Sequence, residues 1–155
     1  MFPDPTGAHA GAFAAVFVAL YVAHQVADHW VQTQHQADCK GQPGWPGRIA
    51  CAAHVATYTL TALVALLFLI AGTGLRLGPW GVAVGLTISA VSHYVADRRT
   101  PLKRIAAALG SARFYALGTP RPGRDDNPSL GTGAYALDQS WHIGWLFIAA
   151  LFCAA

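Results

Sequence analysis

The feature that most constrains this 155-residue chain is a set of four long, largely apolar stretches, at about 10–31, 48–71, 77–97 and 136–155. Each is close to the roughly 20 residues an α-helix needs to cross a hydrocarbon core. None shows the strict alternation of a barrel strand, and Ala and Leu abound in all four. Composition points the same way. Hydrophobic residues make up 54% of the chain and charged ones 11%, against about 25% charged in a soluble domain. Too few charges remain to cover a wet surface. A soluble enzyme, a disordered chain and a secreted disulfide scaffold are all excluded on this ground. The fold class expected is all-α: a polytopic membrane protein built as one domain over 1–155, a bundle of four transmembrane helices.

The segments between the helices carry turn chemistry. Gln42 to Gly47 reads Q-P-G-W-P-G, expected as a turn before the second helix, and Gly72 to Gly78 separates the second from the third. Thr100-Pro101 suits a helix start, so a short interfacial helix is expected over 101–109. It would turn Leu102, Ile105 and Leu109 to lipid and Lys103 and Arg104 to water. Residues 110–135 are rich in Gly, Pro and Arg without an apolar period, and read as a long loop. The first apolar stretch has no Lys or Arg before it and carries His24, Asp28 and His29 in its second half. It is therefore expected to be retained rather than cleaved as a signal peptide.

Of the ten Lys and Arg residues, nine (Lys40, Arg48, Arg98, Arg99, Lys103, Arg104, Arg113, Arg121 and Arg124) fall between helices one and two or three and four. Only Arg76 falls on the opposite side. The basic side is expected to be cytoplasmic, with both termini outside. The basic residues set topology under this reading, and no nucleic-acid partner is expected. Cys39, Cys51 and Cys153 show no paired spacing, so no disulfide framework or zinc ribbon is expected.

Ionisable residues inside the apolar stretches carry the functional signal. His24 and Asp28, then His93 and Asp97, are spaced H-x-x-x-D; Asp138, Gln139 and His142 read D-Q-x-x-H; the second helix adds His54. Residues four apart share a helix face. With alternating helix direction, all seven His and Asp side chains gather at the basic end of the bundle. Each paired histidine lies one turn deeper than its aspartate. A layer of His24, His54, His93 and His142 is thus predicted under a layer of Asp28, Asp97 and Asp138. Imidazole and carboxylate are the ligand set of zinc, with iron or manganese as alternatives. Bundles hold metals with inward-facing ligands of this kind. Seven candidates suit one metal with supporting groups, or two metals sharing a carboxylate. The structural alternative is interhelical hydrogen bonding, with Asp28 or Asp97 paired to Arg98 or Arg99. His54, without a carboxylate four residues away, is the histidine most open to that alternative. Trp30, Trp45, Trp141 and Tyr115 suit an interfacial belt.

The run H-Q-V-A-D-H-W-V-Q-T, a later Lys40, helical His54, S-H-Y-V-A-D and D-Q-S-W-H together resemble a bacterial family of small membrane proteins, the domain of unknown function 3307 family. The resemblance spans nearly the whole chain. It marks His24, Asp28, Gln32, Lys40, His54, His93, Asp97, Asp138, Gln139 and His142, and implies residence in a bacterial cytoplasmic membrane. It departs at Arg98-Arg99, where the family pattern has a lysine a little further on. A looser similarity runs to membrane-bound metal-dependent hydrolases.

The first functional expectation is a membrane-embedded metal-dependent hydrolase opening to the cytoplasm. His24, His54, His93 and His142 would ligate. Asp28, Asp97 and Asp138 would serve as ligands or as general base. Gln32 and Gln139 would orient ligands or water. Lys40, Arg121 and Arg124 would attract a lipid-like or phosphate-bearing substrate entering from the bilayer. The alternatives are a non-catalytic scaffold stapled by metal or hydrogen bonds, and a metal or proton transporter. Transport is disfavoured because the outer halves of the helices are apolar. Nothing in the sequence sets the oligomeric state.

Overall fold

The computed structural model describes residues 7–119 and 132–155. Its elements are helical: α1 (Ala8–Val26), continued by a π-helical turn (Ala27–Val31), α2 (Gln34–Cys39), α3 (Gly44–Thr73), α4 (Pro79–Asp97), α5 (Thr100–Ala108), α6 (Ala112–Tyr115) and α7 (Gly133–Cys153). The four long helices pack in a ring, α1 against α3, α3 against α4, α4 against α7 and α7 back against α1, each neighbour running the opposite way. Two segments, Ala8–Val31 and Gly44–Thr73, are long and apolar enough to cross a membrane. The four spans expected are thus two by length and composition: α4 has 19 residues and α7 21, and neither is apolar enough to join them. Their hydropathy is lowered by Ser89, Ser92, His93 and Asp97 in α4, and by Asp138 to His142 in α7.

Helix boundaries follow local chemistry. The 42–47 run is not a free turn: α3 already begins at Gly44. Pro46 fits there because the first-turn N–H groups have no helical acceptor. At its other end α3 stops at Gly74, in the left-handed conformation with φ 70°. Pro79 then opens α4 from its first turn. Thr132 accepts a hydrogen bond from the Tyr135 backbone N–H at 3.1 Å, so α7 starts at Gly133, inside the stretch expected as loop. Residues 110–119 also hold α6. The central part of that stretch, 120–131, lies outside the described residues.

The buried stripes run at helical spacing from an apolar end into a polar one. Val16 and Leu20 of α1, Ala62 and Leu66 of α3, Leu86 of α4, and Leu146, Ala149 and Ala150 of α7 form one core. Each stripe then continues into a histidine: His24, His54, His93 and His142. Contact between α4 and α7 depends on Gly81 and Gly85. A Cβ at Gly81 would lie 2.5 Å from the Phe152 carbonyl oxygen, and one at Gly85 would lie 2.6 Å from that of Ala149. This spacing, small-xxx-small, lets two helix backbones approach closely.

Near the polar end, α5 departs from expectation. Leu102 is buried along with Ala106, whereas Leu109 is exposed. Leu102 thus packs inward, towards the bundle, instead of facing outward. Lys103 and Arg104 do point out.

Candidate metal centre

The polar end is assembled by four helices and one irregular turn. In α1 the ladder delivers His24, then widens into the π turn that carries Asp28. Such single wide turns are frequent at functional sites because they re-aim one side chain. Gln32 closes the turn, leaving the helical conformation with ψ 126°. α3 supplies His54 near its start, α4 supplies His93 and Asp97 in its last turns, and α7 supplies Asp138 and His142 near its start. The connection from α1 to α3 is stiffened by α2, whose start is a reciprocal cap between Thr33 and Gln36. Arg98 clamps the end of that connection, donating to the Lys40 and Gln42 carbonyls at 2.6 Å each.

The layering has the predicted order. The four imidazoles are at most 3% exposed, whereas the side chains of Asp97, Asp28 and Asp138 are 4, 11 and 30% exposed. Distances define a tight inner group. His54 Nε2 lies 3.0 Å from His93 Nε2, 3.4 Å from Asp28 Oδ1 and 3.3 Å from Asp97 Oδ2. His93 Nε2 lies 3.5 Å from Asp28 Oδ1 and 3.2 Å from Asp97 Oδ2. A tetrahedral ion with bonds of about 2.0–2.1 Å keeps its ligand atoms roughly 3.3–3.4 Å apart. These five separations are therefore edges of a figure that suits such an ion. His54, which sequence spacing ranked lowest among the four, stands at its centre. A second group surrounds it: His24 Nε2 is 3.5 Å from Asp28 Oδ2, and His142 Nε2 is 3.7 Å from Asp138 Oδ2.

The hydrogen-bond state of these atoms provides a test of fit. Among the described residues, His24 Nε2, His142 Nε2, Asp28 Oδ1 and Asp97 Oδ2 are buried without a hydrogen-bond partner. Each such orphan costs about 1–3 kcal/mol, and native interiors rarely leave several together. A bound cation satisfies acceptors of this kind. The donor set fits zinc, iron or manganese. The Nδ1 atoms of His24, His54 and His93 also lack a partner among the described residues. Ring orientation rests on packing instead: the Tyr58 ring stacks on His93 at 4.0 Å, and its hydroxyl is 2.5 Å from Ser89 Oγ.

Lys40 reaches the centre from the end of α2 and donates to Asp97 Oδ1 at 2.8 Å. That contact leaves Oδ2 of the same carboxylate turned to His54 and His93. Asp97 therefore pairs with Lys40 and not with the adjacent arginines. Arg98 is used on backbone carbonyls, and Arg99 donates weakly to the Ala37 carbonyl at 3.5 Å. Above the aspartates opens a cavity of about 540 Å3, lined by Asp28, Asp97, Asp138, Lys40, Arg99, Gln32, Gln139, Tyr115 and Tyr135 among others. Gln139 donates to Asp138 Oδ2 at 3.3 Å. Gln32 Nε2 is buried without a hydrogen-bond partner among the described residues. Arg121 and Arg124 lie outside the described residues.

Other side chains take places the sequence did not give them. Trp141 donates its indole N–H to the Ser92 carbonyl at 3.0 Å, tying α7 to α4. Tyr115 lines the cavity. Tyr58 was missed, although its place four residues after His54 put it on the same face. Arg99 was passed over as a topological charge. It lines the cavity from a backbone conformation with φ 57°, rare for any residue but glycine.

The family model described as protein of unknown function (DUF3307) matches residues 16–155. The chain belongs to that family. All seven clustered residues fall within the matched range. No curated protein and no solved structure matches the chain.

Proposed function

We propose that this member of the family is a membrane-embedded metal protein, and that it acts as a metal-dependent hydrolase at the cytoplasmic face of a bacterial inner membrane. The observation that carries the metal is the inner group of His54, His93, Asp28 and Asp97, drawn from α3, α4 and the π turn, with separations of 3.0–3.5 Å. Zinc is the first candidate, iron or manganese the next.

The membrane reading extends from two spanning helices to four. Each long helix turns bulky apolar residues outward: Val18 and Val22, Leu60 and Phe68, Val84 and Val91, Phe147 and Leu151. With the polar groups inside and the apolar ones outside, the molecule is arranged for a lipid solvent. Trp30 and Trp45 are exposed at the polar end and Trp80 at the other, as at the two interfaces of a bilayer. The arginine-rich polar end is the cytoplasmic one, so both termini lie outside.

A bound divalent ion would lower the pKa of a coordinated water towards about 7 and polarise the bond to be split. Asp138, the most exposed of the three carboxylates and part of the cavity lining, would take the proton. Gln139 orients it. Lys40 and Arg99 give the cavity wall positive charge, which suits a lipid-like or phosphate-bearing substrate entering from the leaflet. Transport fits less well, because the stripes beyond the histidines are apolar from Leu20, Leu66 and Leu146 onward.

The test of activity is hydrolysis of a chromogenic phosphate ester and of short-chain phospholipids by the zinc-loaded protein in detergent. Turnover should stop on chelation, return with metal, and fall about 100-fold or more in Asp138→Asn. Folded, metal-loaded protein that splits none of these esters would leave the scaffold reading in its place.

A further inference from the structure

Two ligand groups, not one, meet at Asp28. We infer that the centre holds a pair of metal ions, bridged by the Asp28 carboxylate. The inference rests on the metal reading above and deepens it.

The first ion takes His54, His93 and Asp97, a trio whose ligand atoms all lie within 4.8 Å of one another. The second takes His24 and His142, which lie within the same limit in a group that also holds Asp28 and His93. His93 borders both groups, but its Nε2 lies 3.0 Å from His54 Nε2 and 3.2 Å from Asp97 Oδ2, which assigns it to the first ion and leaves Asp28 as the shared ligand. The bridging carboxylate is turned to serve both. Its Oδ1 faces His54 Nε2 and His93 Nε2 at 3.4 and 3.5 Å, while its Oδ2 faces His24 Nε2 at 3.5 Å.

A single ion at the inner group leaves a problem unsolved. His24 is 0% exposed and His142 3%, and their Nε2 atoms have no hydrogen-bond partner among the described residues. Both rings stand beside the inner group, with centroids 5.5 Å and 4.3 Å from that of His93, and 4.7 Å from each other. Two buried imidazoles that face carboxylate oxygens at 3.5 and 3.7 Å without a hydrogen bond to them are unexplained by one tetrahedral ion. A second ion explains both. Asp138, 3.7 Å from His142 Nε2, stands beside this second set on the cavity side, where a proton acceptor is needed. Ion pairs bridged in this way, about 3.5–4 Å apart, suit displacement at phosphate esters, in keeping with the cationic wall.

The experiment is metal loading of the full chain in detergent with Mn2+, read by elemental analysis and by electron paramagnetic resonance. The wild type should bind two ions per chain and give the broadened spectrum of a spin-coupled pair. His142→Gln should bind one and give an isolated-ion spectrum. Unchanged helical circular dichroism and a monodisperse elution profile check that the variant folds. The wild-type coupling needs no variant at all. One ion per chain in the wild type, with no coupling, overturns the pair and leaves the mononuclear reading standing. No bound ion overturns the metal reading itself.

Discussion

Lys40 shows how much one side chain controls here. Its ammonium holds Asp97 Oδ1 at 2.8 Å, so the carboxylate offers only Oδ2 to the histidines. Groups that orient a ligand in this way typically contribute 10–100-fold to metal affinity. Lys40→Met should weaken zinc binding by about that factor in a chelator competition titration. Unchanged or tighter binding would mean that Lys40 competes with the metal for Asp97. Tyr58 works through packing. Its ring covers His93, and its hydroxyl bonds Ser89. Tyr58→Phe keeps the ring and loses one buried hydrogen bond, a cost of about 1 kcal/mol. Thermal unfolding should register that loss with metal content unchanged. Six of the seven clustered residues were readable because their spacing of four is itself a statement about helix faces, and His54 only from its depth along the second helix. The lysine was not readable as an aspartate partner, since that pairing joins α2 to α4 across 57 positions and only the packed chain brings them together.

At the scale of elements, the contact of α4 with α7 matters most, because these two helices carry four of the seven clustered residues. A Cβ at position 85 would lie 2.3 Å from Cys153 Sγ and 2.6 Å from the Ala149 carbonyl oxygen. Gly85→Ala should therefore destabilise the bundle by about 1–3 kcal/mol through overpacking. Gly85→Leu should separate the helices and lose metal as well. A Gly85→Leu protein with wild-type melting would show that α4 and α7 do not touch there. The long helices could be read from their apolar length, whereas the small elements could not. The helix α2 is short and polar, and its one local mark, Thr33 and Gln36 at cap spacing, is easily lost among loop residues. The π turn at 27–31 has no sequence mark at all; it is a response to packing. Leu102 was assigned outward because amphipathic period gives a face without saying what covers it.

The molecule as a whole joins an apolar exterior to a charged interior end. Its orientation is tested by single-cysteine labelling in a background without the native cysteines. Arg76→Cys, between α3 and α4, should react with a membrane-impermeant thiol reagent in intact cells. Gln42→Cys, beside the polar end, should react only once the membrane is opened. The reverse pattern would turn the site outward. The central claim is that the buried histidines and aspartates of four helices form a metal centre. Metal analysis of protein purified without chelator, wild type beside His93→Ala, tests it most directly. His93 stands in the inner group and next to the outer one. Stoichiometric transition metal is expected in the wild type, and its loss in the folded variant. Metal-free wild-type protein that remains folded, or a His93→Ala variant that keeps its metal, would contradict it.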